Sequence, residues 1–542
     1  MIKKFKIGLL ISSYSIDKHY YNLIKNLDKQ EDVELVILHT INQFPKKSFL
    51  SKIKTLLFLR GFKLIDDIAL QLLYKYEKFI SKIPNDSYLN IQDFSLNKVN
   101  LNCDLSQSKI IIRYDDKEIS KIKRLELDLI IKVNTQGIFK GKILKVSKLG
   151  IISIHNGDNR WNRGGPGGFW EVYHKKPSTG FIIQKLNDEL DGGDVIYRGE
   201  FSTHKIFFKN NEYLYQTSVF YLKKVIDKII SNKILPKSED NFLYSGKLFF
   251  KPTFREVLIY FIIVNMQLIR GYLTKKEEWS LRYTNKPIHE TSIRKFKIIE
   301  NQKNSWFADP FIFKKLGKNY FFVEEYFKNE KKACISCLEV NNEKVEYLGK
   351  VIEEDFHLSY PFIFEYKEEV YIIPDSCNNR SIRLYKAIEF PMKWEYQYDL
   401  LKNISATDTN ILFHNEKYWL FTSVDEQNQH RHESRLHIFH ADNPLSHNWT
   451  EHKMSPVLHK NGARNGGRLK LGNNLIRVGQ KYGFQNYGES LEVYKVISLN
   501  ENIYEEERIN SIGTDFDDNI TGIHHVDNNE DYIVVDTCKK SI

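Results

Sequence analysis

The first 245 residues alternate short apolar runs with amphipathic stretches. Phe5–Ser12 is a nearly unbroken apolar run, the pattern of a strand buried on both faces. Residues 17–29 then set Tyr20, Leu23, Ile24 and Leu27 at helical spacing. Val33–His39 reads as a second strand, and Leu127–Val133 and Gly150–His155 as two more, with a helix predicted between them over Lys140–Lys148. Strands alternating with helices predict a largely parallel, doubly wound sheet. Sites in such sheets lie beyond the carboxyl ends of the strands. Residues 45–108 break the alternation and read as an irregular Lys-rich insertion.

Near residue 280 the helical period stops and short aromatic strands take over. Phe-Ala-Asp-Pro-Phe-Ile-Phe (307–313) recurs as Ser-Tyr-Pro-Phe-Ile-Phe (359–364), with weaker copies at 409–421, 467–478 and 522–535. The landmarks Phe313, Phe364, Phe413, Leu469 and Val526 lie 51, 49, 56 and 57 residues apart. Each copy is a strand, a tight polar turn, a strand and then more strand. Units of four strands at this period make propeller blades, and five copies predict five blades. The expected organisation is an α/β domain over 1–245, a helical connector over 246–285 and a β-propeller over 286–542.

Composition adds little to this picture. The chain has 542 residues, 42% of them hydrophobic, and a formal charge of +11. Its Lys residues are spread along the chain and do not form a stripe, so a nucleic-acid partner is not expected. Five Cys residues are too few for a disulfide framework, and the lone Cys334-x-x-Cys337 sits in a strand pattern without a second pair. No metal-ligand set is read. The N-terminal run reads as a first strand and not as a signal peptide. The expected location is the cytoplasm. Phe254–Tyr272 is apolar but interrupted by charge, so a buried connecting helix is expected, with peripheral membrane contact as the alternative. The oligomeric state stays open.

The chemistry concentrates in two frames. Gly-Ile-Ile-Ser-Ile-His (150–155) leads into Arg-Gly-Gly-Pro-Gly-Gly-Phe-Trp (163–170). Thr-Gly-Phe-Ile-Ile-Gln-Lys-Leu (179–186) leads into Leu-Asp-Gly-Gly-Asp-Val-Ile (190–196). Each ends an apolar run at a loop carrying a titratable group, and a His beside a carboxylate can move a proton to or from an amine. These frames resemble those of the folate-dependent formyltransferases, sugar N-formyltransferases and methionyl-tRNA formyltransferases among them. That family carries Asn-x-His, an Arg-Gly-Pro loop, Thr-Gly and Leu-Asp-x-Gly-Asp in this order.

The resemblance implies an α/β Rossmann-like formyltransferase domain that uses 10-formyltetrahydrofolate as co-substrate. By it His155, Asp191 and Ser153 are the catalytic positions. Arg163, Gly164, Gly192, Gly193 and Asp194 fall to the folate, and Asn156 to the substrate. Ser153 stands where the family has Asn, whose amide donates to the oxyanion. Three alternatives follow: Ser153 substitutes for it, Asn156 supplies the amide, or the fold serves other chemistry.

The second half resembles the five-bladed propellers of glycoside hydrolases and the related domain of glucosamine inositolphosphorylceramide transferases, through its Ala-Asp-Pro and Trp motifs. Glycosidases need two carboxylates about 5–9.5 Å apart. Asp309 fits the first-blade position, but Tyr360 stands at the second. Asp408, aligned on Phe413, falls one residue early, which would turn it to the other strand face. Asp309, Glu325, His357, Asp408, Arg464, Arg468 and His524 are the candidate sugar contacts, with Glu324 and His525 beside them. The expectation is formyl transfer to an amino sugar, nucleotide-linked or in a glycan, in surface polysaccharide synthesis. The alternative is a glycosyltransferase or carbohydrate-binding protein acting through the propeller, with a relict formyltransferase fold.

Overall fold

The computed structural model describes residues 4–42, 61–82, 88–105, 111–135, 137–188, 192–240, 242–273, 278–341, 344–484 and 486–539. The chain forms two compact units, Met1–Ile269 and Arg270–Ile542.

The first unit is built on one sheet. Its main strands are β1 (Phe5–Ile11), β2 (Val33–Asn42), β3 (Asn97–Leu105), β4 (Leu129–Lys132), β5 (Ile151–His155), β6 (Ser178–Lys185) and β7 (Asp194–Ser202). They lie in the order β7-β6-β5-β4-β1-β2-β3, with two short strands beyond β3. From β3 to β5 every pairing is parallel. Successive side chains of β1 alternate between two cores: Ile7, Leu9 and Ile11 enter one and Leu10 the other. Helices α1 (Lys18–Asp28) and α5 (Phe207–Asn232) cover the first face, and α3 (Asp116–Lys123) the second. This is the doubly wound α/β fold the alternation predicts.

Three local expectations give way. The helix expected over Lys140–Lys148 is a single 3-10 turn, Lys142–Lys145. Gly141, at φ +84°, precedes it, and the chain leaves the turn at Val146. The described parts of the 45–108 insertion are regular: α2 (Gly61–Ser81) packs on α5, and β3 joins the main sheet. The apolar segment near 260 is α6 (Phe254–Leu273), with Val257, Tyr260 and Val264 buried but Leu258, Ile262 and Met266 exposed. It is therefore buried on one face only. Among the described residues no helix is long and apolar enough to cross a membrane.

The second unit is a five-bladed propeller. Blade 1 spans Ser305–Ile352, blade 2 Ser359–Lys402 and blade 3 Ala406–His459. Blade 4 holds Ile476–Gly483, Asn486–Leu499 and Tyr504–Ile512. Blade 5 closes the ring with strands from both ends of the unit. Val526–Asn528 pairs with Ile533–Lys539, which pairs with Glu278–Thr284, and that strand pairs with Lys297–Ile299. Glu278–Thr284, in the segment read as connector, is thus a propeller strand. The inner hairpins of blades 1–3 turn at Leu316-Gly317, Lys367-Glu368 and Asn415-Glu416, each with φ positive at both residues. That is the type I′ geometry matching strand twist.

Cys334 and Cys337 lie on the strand Lys332–Asn341 as buried free thiols. Burial pushes the Cys334 thiol up to about 11 and the Cys337 thiol higher still, so neither is a ready thiolate.

Candidate functional site

His155 is the last residue of β5, at the carboxyl end of the parallel core. It is buried, and its Nε2 lies 2.8 Å from the carbonyl oxygen of Asn162. A carbonyl only accepts, so Nε2 carries the proton and Nδ1 is the ring atom able to take one. Ser153 lies two residues back on the same face of β5. It is buried, and its hydroxyl donates to the Ile154 carbonyl at 3.1 Å. Asn156 is half-buried and accepts from the Ser218 hydroxyl at 3.4 Å.

The loop after β5 is held tightly. Gly164 N–H donates to Asn162 Oδ1 at 2.8 Å, and a Cβ on Gly164 would stand 1.7 Å from the Phe249 carbonyl oxygen. Gly164 therefore admits backbone, but the backbone is this chain's own. Arg163 Nε donates to the Asn159 carbonyl at 3.1 Å, and its guanidinium lies 4.3 Å from the Tyr244 ring centre. Glu171 follows at 1% exposure, and burial pushes its carboxyl up to about 7.

The second frame meets the first differently from the sequence expectation. β6 runs antiparallel to β5, pairing Ile182 with His155 and Lys185 with Ile152. The loop after β6 therefore departs beside Ile151–Ile152, where Leu186 N–H donates to the Ile151 carbonyl, and not at the carboxyl end of β5. Asp191 lies outside the described residues. Its neighbours are placed: Gly193 N–H donates to Gln184 Oε1, the Gly192 carbonyl accepts from Asn187, and Asp194 opens β7 opposite Lys185. A Cβ on Gly193 would stand 2.3 Å from the Lys185 carbonyl oxygen.

The two loops share a cavity of about 460 Å³. Arg163, Asn159, Asn187, Gly192 and Gly193 line it, with the chain from Glu239 to Tyr244 as its far wall. Three folate-assigned residues thus meet in one pocket. Sequence reasoning missed Asn159, Asn187 and Arg198. Arg198, on β7, pairs with Asp158 and Glu239 and so ties the first loop to the far wall. Burial alone would raise Asp158, but Arg160 and Arg198 hold its carboxyl below the usual range.

In the propeller, the inner strands of blades 1–3 each carry a bulge at the same place. Register slips between Ala308 and Phe311, between Ser359 and Phe362, and between Thr407 and Asn410. The first bulged residues are Asp309, Tyr360 and Asp408, with φ of 48°, 45° and 52°. Asp408 is therefore the equivalent of Asp309, which corrects the one-residue offset. The partner of Phe313 in blade 3 is Leu412, not the exposed Phe413.

Around these bulges a buried polar cluster converges. Asp309 accepts from Tyr360 N–H at 3.2 Å and stands 3.4 Å from both His524 Nε2 and His525 Nδ1. His524 Nδ1 lies 2.8 Å from Asp536. Asp408 takes both arms of Arg464 and the Gln480 amide at 2.8 Å. Burial alone would raise Asp309, but His524, His525 and Arg464 pull it well below the usual range. Burial, and then Asp309, push Glu324 well above it. Burial and Asp408 push Asp375 up to about 7. Although burial opposes its charge, Asp536 and Asp309 raise His524. His357 is half-buried, 3.4 Å from Glu324, and burial lowers it. Asp309 and Glu324 are thus pushed in opposite directions, the pattern of acid–base machinery.

Two expected contacts stand outside this cluster. Glu325 points to the other strand face, where the hydroxyls of Ser305, Ser336 and Tyr347 donate to it. Strand alternation puts Glu324 in the cluster in its place. Arg468 is bound to Asp527 and to the Ile312 carbonyl, tying blades 1 and 5 together. Asp375, Gln480 and Asp536 belong to the cluster without any sequence signal.

Comparison with known proteins supports both halves. Residues 274–523 match the family model for the N-terminal part of glucosamine inositolphosphorylceramide transferase 1. The protein of that name from Oryza sativa subsp. japonica is 30% identical over 213 residues, which is 38% of this chain and 28% of the relative. Methionyl-tRNA formyltransferase of Blochmanniella floridana is 32% identical over 136 residues, 23% of this chain and 41% of the relative. This chain therefore spans well under two thirds of either relative. The catalytic domain of the Coprinopsis cinerea GH62 alpha-L-arabinofuranosidase aligns with a TM-score of 0.32 and 10% identity, over 44% of this chain and 92% of that structure. The chain joins a formyltransferase-like α/β unit to a five-bladed propeller similar to the N-terminal part of glucosamine inositolphosphorylceramide transferase 1.

Proposed function

We propose that the first unit moves a formyl group from 10-formyltetrahydrofolate to the amine of an amino sugar, nucleotide-linked or glycan-borne, in cytoplasmic synthesis of a surface polysaccharide. The propeller holds the sugar. The observation that carries this reading is the shared cavity. It brings Arg163, Gly192 and Gly193 together in one pocket of the first unit.

In the reaction the amine nitrogen bonds to the formyl carbon, the carbon–N10 bond breaks, and tetrahydrofolate leaves with one proton. The hydrogen bond to Asn162 fixes the His155 ring, and in this reading Nδ1 takes the ammonium proton. In this reading Asp191 supports that transfer and Arg163 faces the anionic end of the folate. The polar cluster at Asp309 and Asp408 holds sugar hydroxyls.

The test is turnover. Purified protein with 10-formyltetrahydrofolate and a panel of nucleotide-linked amino sugars should release tetrahydrofolate. His155→Ala and Asp191→Ala should abolish release, while Asp309→Asn should mainly raise KM. Release that survives both first-unit changes would sink the proposal.

A second reading has one observation in its favour: the buried polar cluster that brings Asp309 together with His524, His525 and Asp536. Such a cluster suits glycosyl transfer at the propeller. Under this reading Asp309→Asn abolishes activity and His155→Ala does not.

A further inference from the structure

Helices α2 and α6 lie side by side in the first unit and run in the same direction. Phe254 N–H donates to Asp66 near their starts, and Tyr76 donates to Asn265 at 2.7 Å further along. Between these, Tyr260 donates to buried Glu77 at 2.6 Å. Tyr260 and Glu77 also accept the Phe207 and Phe208 N–H groups at the start of α5, which fixes one face of each helix to the body.

The opposite faces are apolar and open. On α6, Phe254, Leu258, Phe261, Ile262, Met266 and Ile269 are all exposed, at helical spacing. On α2, Ile65, Ile68, Leu72 and Phe79 form a matching stripe, with Phe79 82% exposed. A contiguous apolar face is normally covered by protein or lipid. Here one face of each helix stays exposed.

Charge says what fits the open half. Arg255 and Lys75 are exposed along the stripes, Lys78 is half-buried, and none of the three makes an ion pair among the described residues. The nearby acids are occupied: Asp66 caps Phe254, Asp67 pairs with Lys251, and Glu256 caps Thr253. Two apolar stripes, rimmed by cations that make no ion pair among the described residues, fit an interface of acyl chains under anionic headgroups. A second copy on the same face would set like charges against each other.

We propose that the α2–α6 face docks the protein on the surface of an anionic lipid bilayer, lying on it and not crossing it. This rests on exposure and charge and stands apart from the formyl-transfer reading.

Co-sedimentation of the full chain with vesicles tests it. Vesicles of phosphatidylcholine with phosphatidylglycerol should carry the protein down, and those of phosphatidylcholine alone should not. Leu258→Glu combined with Ile262→Glu and Met266→Glu should weaken binding by about tenfold or more. Lys75→Gln with Arg255→Gln should weaken it and flatten its salt dependence. These positions are exposed, so circular dichroism of the variants should match the parent. No binding to anionic vesicles, or binding that ignores both variants, overturns the proposal. So does light scattering that shows a parent dimer made monomeric by the triple variant, because the face would then belong to a second copy.

Discussion

Replacing Arg464 with Ala should destabilise the propeller core more than any surface change. Asp408 has a side-chain exposure of 1%, and Arg464 supplies two of the three hydrogen bonds that side chains among the described residues give its carboxylate. Only the Gln480 amide, at 2.8 Å, would remain. Leaving a buried carboxylate without its cation costs about 3–5 kcal/mol. The cost should depend on pH. Burial already raises Asp408 above its ordinary value, against the pull of Arg464. Without that pull the folded-state pKa rises further above the unfolded one. The folded state then binds the proton more tightly, and stability is regained as pH falls through the raised pKa. Native-state hydrogen exchange of the Ala406–His414 amides reads the local opening energy. The loss should be largest near pH 7 and shrink by about half or more near pH 5. Adding Asp408→Asn should recover most of it. A loss under about 1 kcal/mol, or one that is flat with pH, would refute the argument.

Other consequences are equally direct. Gly164→Ala drives a Cβ into the Phe249 carbonyl, so it should cost at least about 1–3 kcal/mol and lower the melting temperature of the first unit. Glu77 is pushed up to about 7 by burial, so its folded pKa exceeds the unfolded one and stability should fall as pH rises through about 7. Glu77→Gln should flatten that slope in pH-resolved melts. Glu325→Gln leaves the Ser305, Ser336 and Tyr347 hydroxyls poorly matched, so it should cost about 1–3 kcal/mol while sugar binding in calorimetry stays unchanged.

Fold was legible in the sequence wherever period and burial agree. The first-unit strands are buried on both faces and read as apolar runs, and the blades repeat at a near-constant interval. What failed was local register. Phe413 looks like the landmark because it is aromatic, yet the bulge at Asp408 makes Leu412 the structural match. Bulges add a residue without changing composition, so pattern alone cannot see them. Glu324 and Glu325 differ only by strand parity, which the bulge also hides. The antiparallel course of β6 was equally invisible, because Thr179–Gln184 is as apolar as its parallel neighbours. The insertion hid α2, whose apolar stripe faces outward among lysines. The pocket residues Asn159 and Asn187, and Arg198 that ties the loop to Glu239, carry no motif and are gathered only by the fold.

The proposed function requires the first unit to hold a folate formyl donor. Calorimetric titration of the full chain with 5-formyltetrahydrofolate, a stable analogue, checks this, with Arg163→Ala and Ser153→Asn beside the parent. The parent should bind with micromolar affinity, weakened by Arg163→Ala and kept or strengthened by Ser153→Asn. Absence of binding by both the parent and Ser153→Asn would contradict it and place the chemistry at the Asp309–Asp408 cluster of the propeller.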